Sequence, residues 1–228
     1  MDGVEALTRP AGMLSLRLRP DQKHLRVLCI GAHSDDIEIG CGGTLLRWIG
    51  EYQRVDITWC VLSASDARGL EAGRSADALL ADAASHNIVL GDFEDTCLPA
   101  DFRRAKAFLA DLRARNDADV ILTHTLDDRH QDHRLVAELT WQTWRDHLIF
   151  EYEIPKYEGD LGHPNLFVQL PAAVAQRKVQ HLLEHFASQR DKDWFCEETF
   201  FALMRVRGIE ARAASGWAEG FHVRKARL

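Results

Sequence analysis

The sequence predicts an α/β fold built on a mostly parallel central sheet. Two apolar runs carry that reading. Residues 27–30 (Val-Leu-Cys-Ile) and 119–123 (Asp-Val-Ile-Leu-Thr) are continuous rather than alternating, the pattern of strands covered on both faces. The third observation is where each run stops: His33-Ser34-Asp35-Asp36 follows the first, and Asp127-Asp128-Arg129-His130-Gln131-Asp132-His133 the second. In open α/β sheets ligands bind just past the carboxyl ends of the strands. Two parallel strands of one sheet bring both polar clusters to one edge, which is the physical reason for pairing segments so far apart in the chain.

Taken in order, residues 1–12 read as a flexible leader. Residues 13–19 alternate, with Leu14, Leu16 and Leu18 set against Ser15, Arg17 and Arg19, the period of a half-exposed strand or extended arm. Strand one covers 26–30. Beyond the first cluster, Gly40, Gly42 and Gly43 predict tight backbone turns before a helix over 44–52. Residues 54–62 are β-branched and aromatic enough for strand two, and 63–73, small and glycine-bearing past its end, form an expected active-site loop. A helix over 74–86 and a short strand at 88–90 follow. Phe102, Ala105, Phe108, Leu109 and Leu112 mark one face of another helix.

Strand four and the second cluster come next, then a helix from about 132 to 144. The positive end of a helix suits the ionised form of Asp132. Residues 148–154 and 166–170 alternate, and 155–165 between them read as a loop over the site. Ala175, Val179, Leu182, Leu183 and Phe186 give an amphipathic helix, and Phe200, Phe201, Leu203 and Met204 a further one. With no repeat, low-complexity segment or linker, 1–228 reads as a single domain.

His33 and Asp36 are three apart, a spacing that in a first helical turn brings an imidazole nitrogen and a carboxylate oxygen to one point. A third ligand has to come from the second cluster. Two histidines and one carboxylate, with positions open for water and substrate, form a common catalytic zinc arrangement, and the same set suits non-haem iron(II). Asp35, His130 and Asp132 then remain: a base for the water, an acid for the leaving group and a carboxylate to orient the acid. The glycines do not make a dinucleotide site, because the Gly-x-Gly-x-x-Gly spacing is absent and acids stand where a pyrophosphate would sit.

The run from Ala32 to Leu45 (Ala-His-Ser-Asp-Asp-Ile-Glu-Ile-Gly-Cys-Gly-Gly-Thr-Leu) resembles the Ala-His-Pro-Asp-Asp-Glu-x-x-Gly-Cys-Gly-Gly signature of the PIG-L / LmbE-like N-deacetylase family. His130-Gln131-Asp132-His133 resembles that family's His-Pro-Asp-His element. The resemblance implies a Rossmann-like three-layer α/β fold and a zinc-dependent enzyme that removes acetyl groups from N-acetylated amino sugars or their conjugates. It makes His33, Asp36 and His133 the zinc ligands and Asp35 the general base. His130 becomes general acid or oxyanion stabiliser, with Asp132 hydrogen-bonded behind it. Ser34, Ile37 and Gln131 depart from the pattern without touching the ligand set. Arg74 with Asp77 resembles an arginine-x-x-acid element that contacts substrate in the family, and Asp128 is a second expected substrate contact. Residues 178–189 and 217–221 also look like the family. The alternative from another class is a non-haem iron(II) oxygenase on the same triad.

The net charge of −7 and the dispersed basic residues argue against a nucleic-acid surface. The acidic start lacks the apolar core of a signal peptide, and no apolar run approaches the roughly 20 residues of a membrane span. A soluble cytoplasmic enzyme acting on a small molecule is expected, with homo-oligomerisation left open. Cys29, Cys41, Cys60, Cys97 and Cys196 are odd in number and widely spaced, and read as small buried hydrophobes rather than a disulfide framework. His24, His86, His124, His147, His163, His181, His185 and His222 carry no comparable context and read as satisfied surface or core histidines.

Overall fold

The computed structural model describes residues 16–18, 21 and 23–227. Seven strands, β1 (His24–His33), β2 (Arg54–Ser63), β3 (Ser85–Leu90), β4 (Val120–His124), β5 (Leu148–Tyr152), β6 (Leu166–Leu170) and β7 (Trp217–His222), form one sheet in the order β3-β2-β1-β4-β5-β7-β6. The first five run parallel, and β7 is antiparallel to both its neighbours. Six helices, α1 (Asp36–Glu51), α2 (Asp66–Leu79), α3 (Phe102–Ala114), α4 (Gln131–Thr143), α5 (Ala172–His185) and α6 (Glu197–Glu210), cover its two faces.

Side chains of β1 alternate between two cores. Val27 and Cys29 pack under α1, α2, α5 and α6, while Leu28 and Ile30 pack under α3 and α4. That is the three-layer α/β arrangement, and it explains the unbroken apolar run: a strand with helices on both sides has no face to leave polar. β1 pairs directly with β4, Val27 opposite Val120 and Cys29 opposite Leu122. Both polar clusters therefore leave the sheet at the same edge from adjacent strands.

Several elements differ from the sequence expectation; the helix expected over 74–86 ends at Leu79, and Ser85 and His86 begin β3. α1 starts at Asp36, eight positions before the expected start at 44, and absorbs all three glycines. Gly40 and Gly43 serve close approach rather than turning: a Cβ on Gly40 would lie 2.2 Å from the Tyr152 ring, and one on Gly43 would lie 2.6 Å from Leu170, whereas one on Gly42 would meet nothing nearer than 3.9 Å. Most of the expected loop 63–73 is the front of α2, where a Cβ on Gly69 would fall 2.2 Å from the Ala64 carbonyl oxygen. β7 had no strand signal, because Trp-Ala-Glu-Gly-Phe-His lacks both an apolar run and a clean alternation. Of the arm expected over 13–19, residues 16–18 carry no strand and the remainder lies outside the described residues. Among the described residues no helix is long and apolar enough to cross a membrane. All five cysteines are free, with Cys29, Cys41 and Cys60 buried.

Candidate metal centre and active site

The first cluster spans the junction of β1 and α1. His33 ends the strand, Asp35 is the N-cap of the helix and Asp36 its first residue. The second cluster spans the β4–α4 junction, with His130 as N-cap and Asp132 and His133 in the first turn. His33, Asp35, Asp36, Asp132 and His133 are all buried.

Three donor side chains converge. His33 Nδ1 lies 3.0 Å from His133 Nε2 and 3.4 Å from Asp36 Oδ2, and His133 Nε2 lies 3.4 Å from Asp36 Oδ1. Four tetrahedral ligands on bonds of roughly 2.0–2.2 Å stand about 3.3–3.6 Å apart, so the spacing fits a zinc-sized cation. Each imidazole also has a carboxylate on its outer nitrogen. Asp132 Oδ2 is 3.1 Å from His33 Nε2, and Asp128 Oδ2 is 3.0 Å from His133 Nδ1. A proton held on the outer nitrogen leaves the inner one as a lone pair, the arrangement of carboxylate–histidine–metal sites.

Other combinations also bring donors within 4.8 Å of one another: His33 with His130 and His133, Asp36 with His124 and His133, and His33 with Asp95 and Asp132. They fit less well. His130 Nδ1 accepts the N–H of Asp132 at 3.3 Å. His124 Nε2 accepts the N–H of Ala32 at 3.0 Å. The side chain of Asp95 is 45 % exposed. In the set His33, Asp36 and His133 both imidazoles are backed, and Asp36, whose Oδ2 accepts the N–H of His33 at 2.6 Å, keeps Oδ1 toward His133.

The two adjacent aspartates have opposite environments. Asp35 is raised above the usual carboxylate range by burial and by the neighbouring charge of Asp36. Asp36 is held well below that range: burial works against this, but His133 and His124 outweigh it. Although Asp35 occupies an N-cap, its side chain makes no capping bond. The guanidinium of Arg68 stands beside it, with Nη2 3.7 Å from Oδ1. The carboxylate is therefore free to exchange a proton.

His130 stacks on His133, with ring centroids 4.5 Å apart, and stands edge-on to His33 at 4.9 Å. Burial lowers its pKa, with His133 adding to the effect. A neutral ring whose Nδ1 accepts from the backbone carries its proton on Nε2.

Several expected roles shift. Asp132 stands behind His33, not behind His130; its second oxygen accepts the N–H of Leu98 at 3.2 Å. The reason is register: from the first turn of α4 its side chain reaches across to β1. Asp128 is 2 % exposed and is taken by His133, by Lys156 at 3.0 Å and by the N–H of His130 at 2.8 Å. Burial and these bonds tie it to His133, Lys156 and the start of α4. Arg74 is exposed on α2 and makes no ion pair among the described residues. Arg68, six positions earlier, is the arginine that reaches the site, paired with Asp95 and near Asp35.

Sequence reading missed His124, Asp95 and Lys156. His124 is fully buried, lies flat on His133 with centroids 4.0 Å apart, and contacts Asp36 at 3.1 Å. Burial and the charge of His133 push its pKa down to about 4. A signal existed, since it ends the same apolar strand that precedes the second cluster. Asp95 reaches His33 Nε2 at 3.0 Å from the β3–α3 connection, where nothing local marks it. Lys156 pairs with Asp160 at 2.7 Å as well as with Asp128, and Asp160 accepts the N–H of Arg129. These bonds tie the segment 155–165 to the second cluster.

A family model described as PIG-L: GlcNAc-PI de-N-acetylase matches residues 28–144, just over half of the chain. The uncharacterized deacetylase YaiS of Escherichia coli (strain K12) is 28 % identical over 151 residues, which cover 62 % of this chain and 80 % of that one. Among solved structures, GalB, the 4-carboxy-2-hydroxymuconate hydratase of Pseudomonas putida KT2440, superposes with a TM-score of 0.71 at 19 % identity, covering 90 % of this chain and 98 % of its own. The N,N'-diacetylchitobiose deacetylase of Pyrococcus horikoshii gives 0.66 at 20 % identity, with 87 % and 83 % covered. At such identities these two likenesses speak for the fold.

Proposed function

The chain belongs to the PIG-L: GlcNAc-PI de-N-acetylase family, and from that premise we propose that it is a zinc-dependent deacetylase releasing acetate from the N-acetyl group of an amino sugar or amino-sugar conjugate. The observation that carries the proposal is the convergence of His33 Nδ1, His133 Nε2 and Asp36 within 3.0–3.4 Å, beside an Asp35 carboxylate that makes no capping bond.

His33, Asp36 and His133 would hold the cation. When bound, it supplies an acidified water, with the pKa lowered from 15.7 toward roughly 7, and a Lewis acid for the amide carbonyl. The remaining steps belong to the protein. Asp35 takes a proton from the attacking water, a role suited to a carboxylate whose pKa burial and the charge of Asp36 raise. His130, neutral and carrying its proton on Nε2, donates a hydrogen bond to the oxygen on which charge develops. The proton on Asp35 then passes to the departing amine nitrogen. Arg68, placed between Asp35 and Asp95, offsets the repulsion between the two carboxylates. A soluble enzyme with a small-molecule substrate fits this site. The hydratase on the same fold is reason to test the reaction class directly.

The experiment is acetate release from a panel of N-acetylated sugars, with metal analysis of the same preparation. Anaerobic release in proportion to zinc content is expected. Oxygen consumption dependent on ferrous iron, without acetate, would instead establish the oxygenase alternative. Asp35→Asn should keep its metal and lose about 10²–10⁴-fold in turnover. An Asp35→Asn protein as fast as the parent would remove Asp35 from the mechanism.

A further inference from the structure

The residues proposed to hold the metal lie inside the segment 28–144, yet two buried carboxylates that brace them come from the part of the chain beyond it. Glu219 on β7 reaches into the middle of α1. It accepts the N–H of Gly43 at 2.9 Å and of Thr44 at 2.7 Å. In a regular helix those groups belong to the carbonyls of Ile39 and Gly40, four residues earlier. Lys178 on α5 donates to that same Ile39 carbonyl at 2.6 Å and to Glu219 at 2.6 Å. Lys178 and Glu219 are both about 4 % exposed. A buried ion pair thus engages the α1 ladder one to two turns after Asp36, the kind of side-chain insertion that fixes the local course of a helix. Glycine at 43 is what lets it in, since a Cβ there would stand 2.9 Å from Glu219 Oε1.

The second brace grips the other cluster. Glu151 on β5 is fully buried and accepts bonds from Thr125 Oγ1 (3.1 Å), Leu126 N–H (3.2 Å), Trp141 Nε1 (2.6 Å) and Arg224 Nε (2.7 Å) and Nη2 (3.0 Å). Thr125 and Leu126 begin the loop that leads to Asp128, His130 and His133. Arg224, two positions past β7, also holds Asp127 at 2.9 Å. The strand register brings the two braces together, because Glu151 lies opposite His222 in the β5–β7 pair.

We propose that β7 and the residues after it are the positioning element of the metal centre. Glu219 with Lys178 sets the helix start that carries Asp36, and Arg224 with Glu151 sets the loop that carries Asp128 and His133. This rests on the reading that His33, Asp36 and His133 hold a divalent cation. None of the four bracing residues reaches the donor atoms, so their effect is on how well those atoms are held. Positioning groups behind metal ligands typically change affinity about 10–100-fold.

The test measures Zn²⁺ affinity by chelator competition, and the d–d spectrum of the Co²⁺ form, for the full-length parent, Arg224→Gln, Arg224→Lys and the paired variant Lys178→Met with Glu219→Gln. Arg103→Gln on the exposed face of α3 is the control. Affinity about 10-fold or more weaker with shifted Co²⁺ bands is expected for Arg224→Gln and for the paired variant, with partial recovery in Arg224→Lys and no change in the control. A merely structural role would lower the melting temperature and leave affinity and bands as in the parent, which overturns the proposal. Should the buried pair not survive substitution, Arg224→Gln decides alone, because its side chain is 38 % exposed and its loss opens no cavity. A parent that takes up neither Zn²⁺ nor Co²⁺ sinks the metal-centre reading and this one with it. A parent that binds, with variants that bind equally, sinks only this one.

Discussion

Asp35 and Asp36 are the same residue type one position apart, and their surroundings separate them: burial raises the first, while His133 and His124 hold the second low. Neighbouring carboxylates driven in opposite directions are how one site obtains a proton carrier and a permanent anion. That both are aspartates, and that histidines stand near them in sequence, is legible from the chain. Which carboxylate backs which imidazole is not, because Asp128 and Asp132 are local equivalents until α4 gives them directions. Changing Asp128 to Asn keeps the shape but replaces a charged acceptor on His133 Nδ1 with a neutral amide. We expect Zn²⁺ affinity to fall about 10–100-fold, measured by chelator competition; an unchanged affinity would mean that Asp128 serves Lys156 rather than the metal ligand. Arg68 replaces Arg74 at the site for a similar reason. The two are alike as sequence, and only the start of α2 at Asp66 decides which faces β1.

At the scale of elements, α1 shows how a glycine run can be misread. Three glycines in four positions signal a turn, and in isolation they weaken a helix by about 0.5–1 kcal/mol each. Here the helix forms because its neighbours need the space. Tyr152 occupies the hollow over Gly40, its hydroxyl donating to the Ile30 carbonyl at 2.7 Å, and Leu170 and Glu219 occupy the hollow over Gly43. Gly50, near the end of the same helix, has nothing within 4 Å of an added Cβ. The two positions should answer alanine with opposite signs. Gly40→Ala should lose about 1–3 kcal/mol through overpacking, and Gly50→Ala should gain about 0.4–1 kcal/mol, both read from urea midpoints. Equal signs would contradict the close approach of Tyr152. The strands were more legible than the helix starts, since an apolar run declares itself locally, whereas packing against a distant aromatic ring does not.

For the whole molecule, a metal bound only by the folded state should add RT ln(1 + [L]/Kd) to stability, about 2.7 kcal/mol at a hundred times Kd. Chelation should therefore lower the melting temperature of the parent, and His33→Ala should melt with or without chelator at the same temperature. Stability should also depend on pH through His181, which lies between α2 and α5, bonded to Ser75 Oγ at 2.8 Å. Burial, with His185 and Arg177 nearby, pushes its pKa down to about 4. The unfolded chain then takes up the proton first as pH falls, so stability is lost between about 6.5 and 4, by roughly 3 kcal/mol at most. Urea midpoints of the parent and of His181→Gln should converge across that window; parallel curves would show that His181 titrates normally. By itself the sequence determined the α/β class, the two buried strands and the meeting of their polar ends at one edge, because apolar continuity and residue type are local properties. The choice of Arg68 and the braces reaching from β7 to both clusters were decided only by the tertiary structure. Each depends on a contact between residues far apart in the chain, and no such contact leaves a mark on either partner's own neighbourhood.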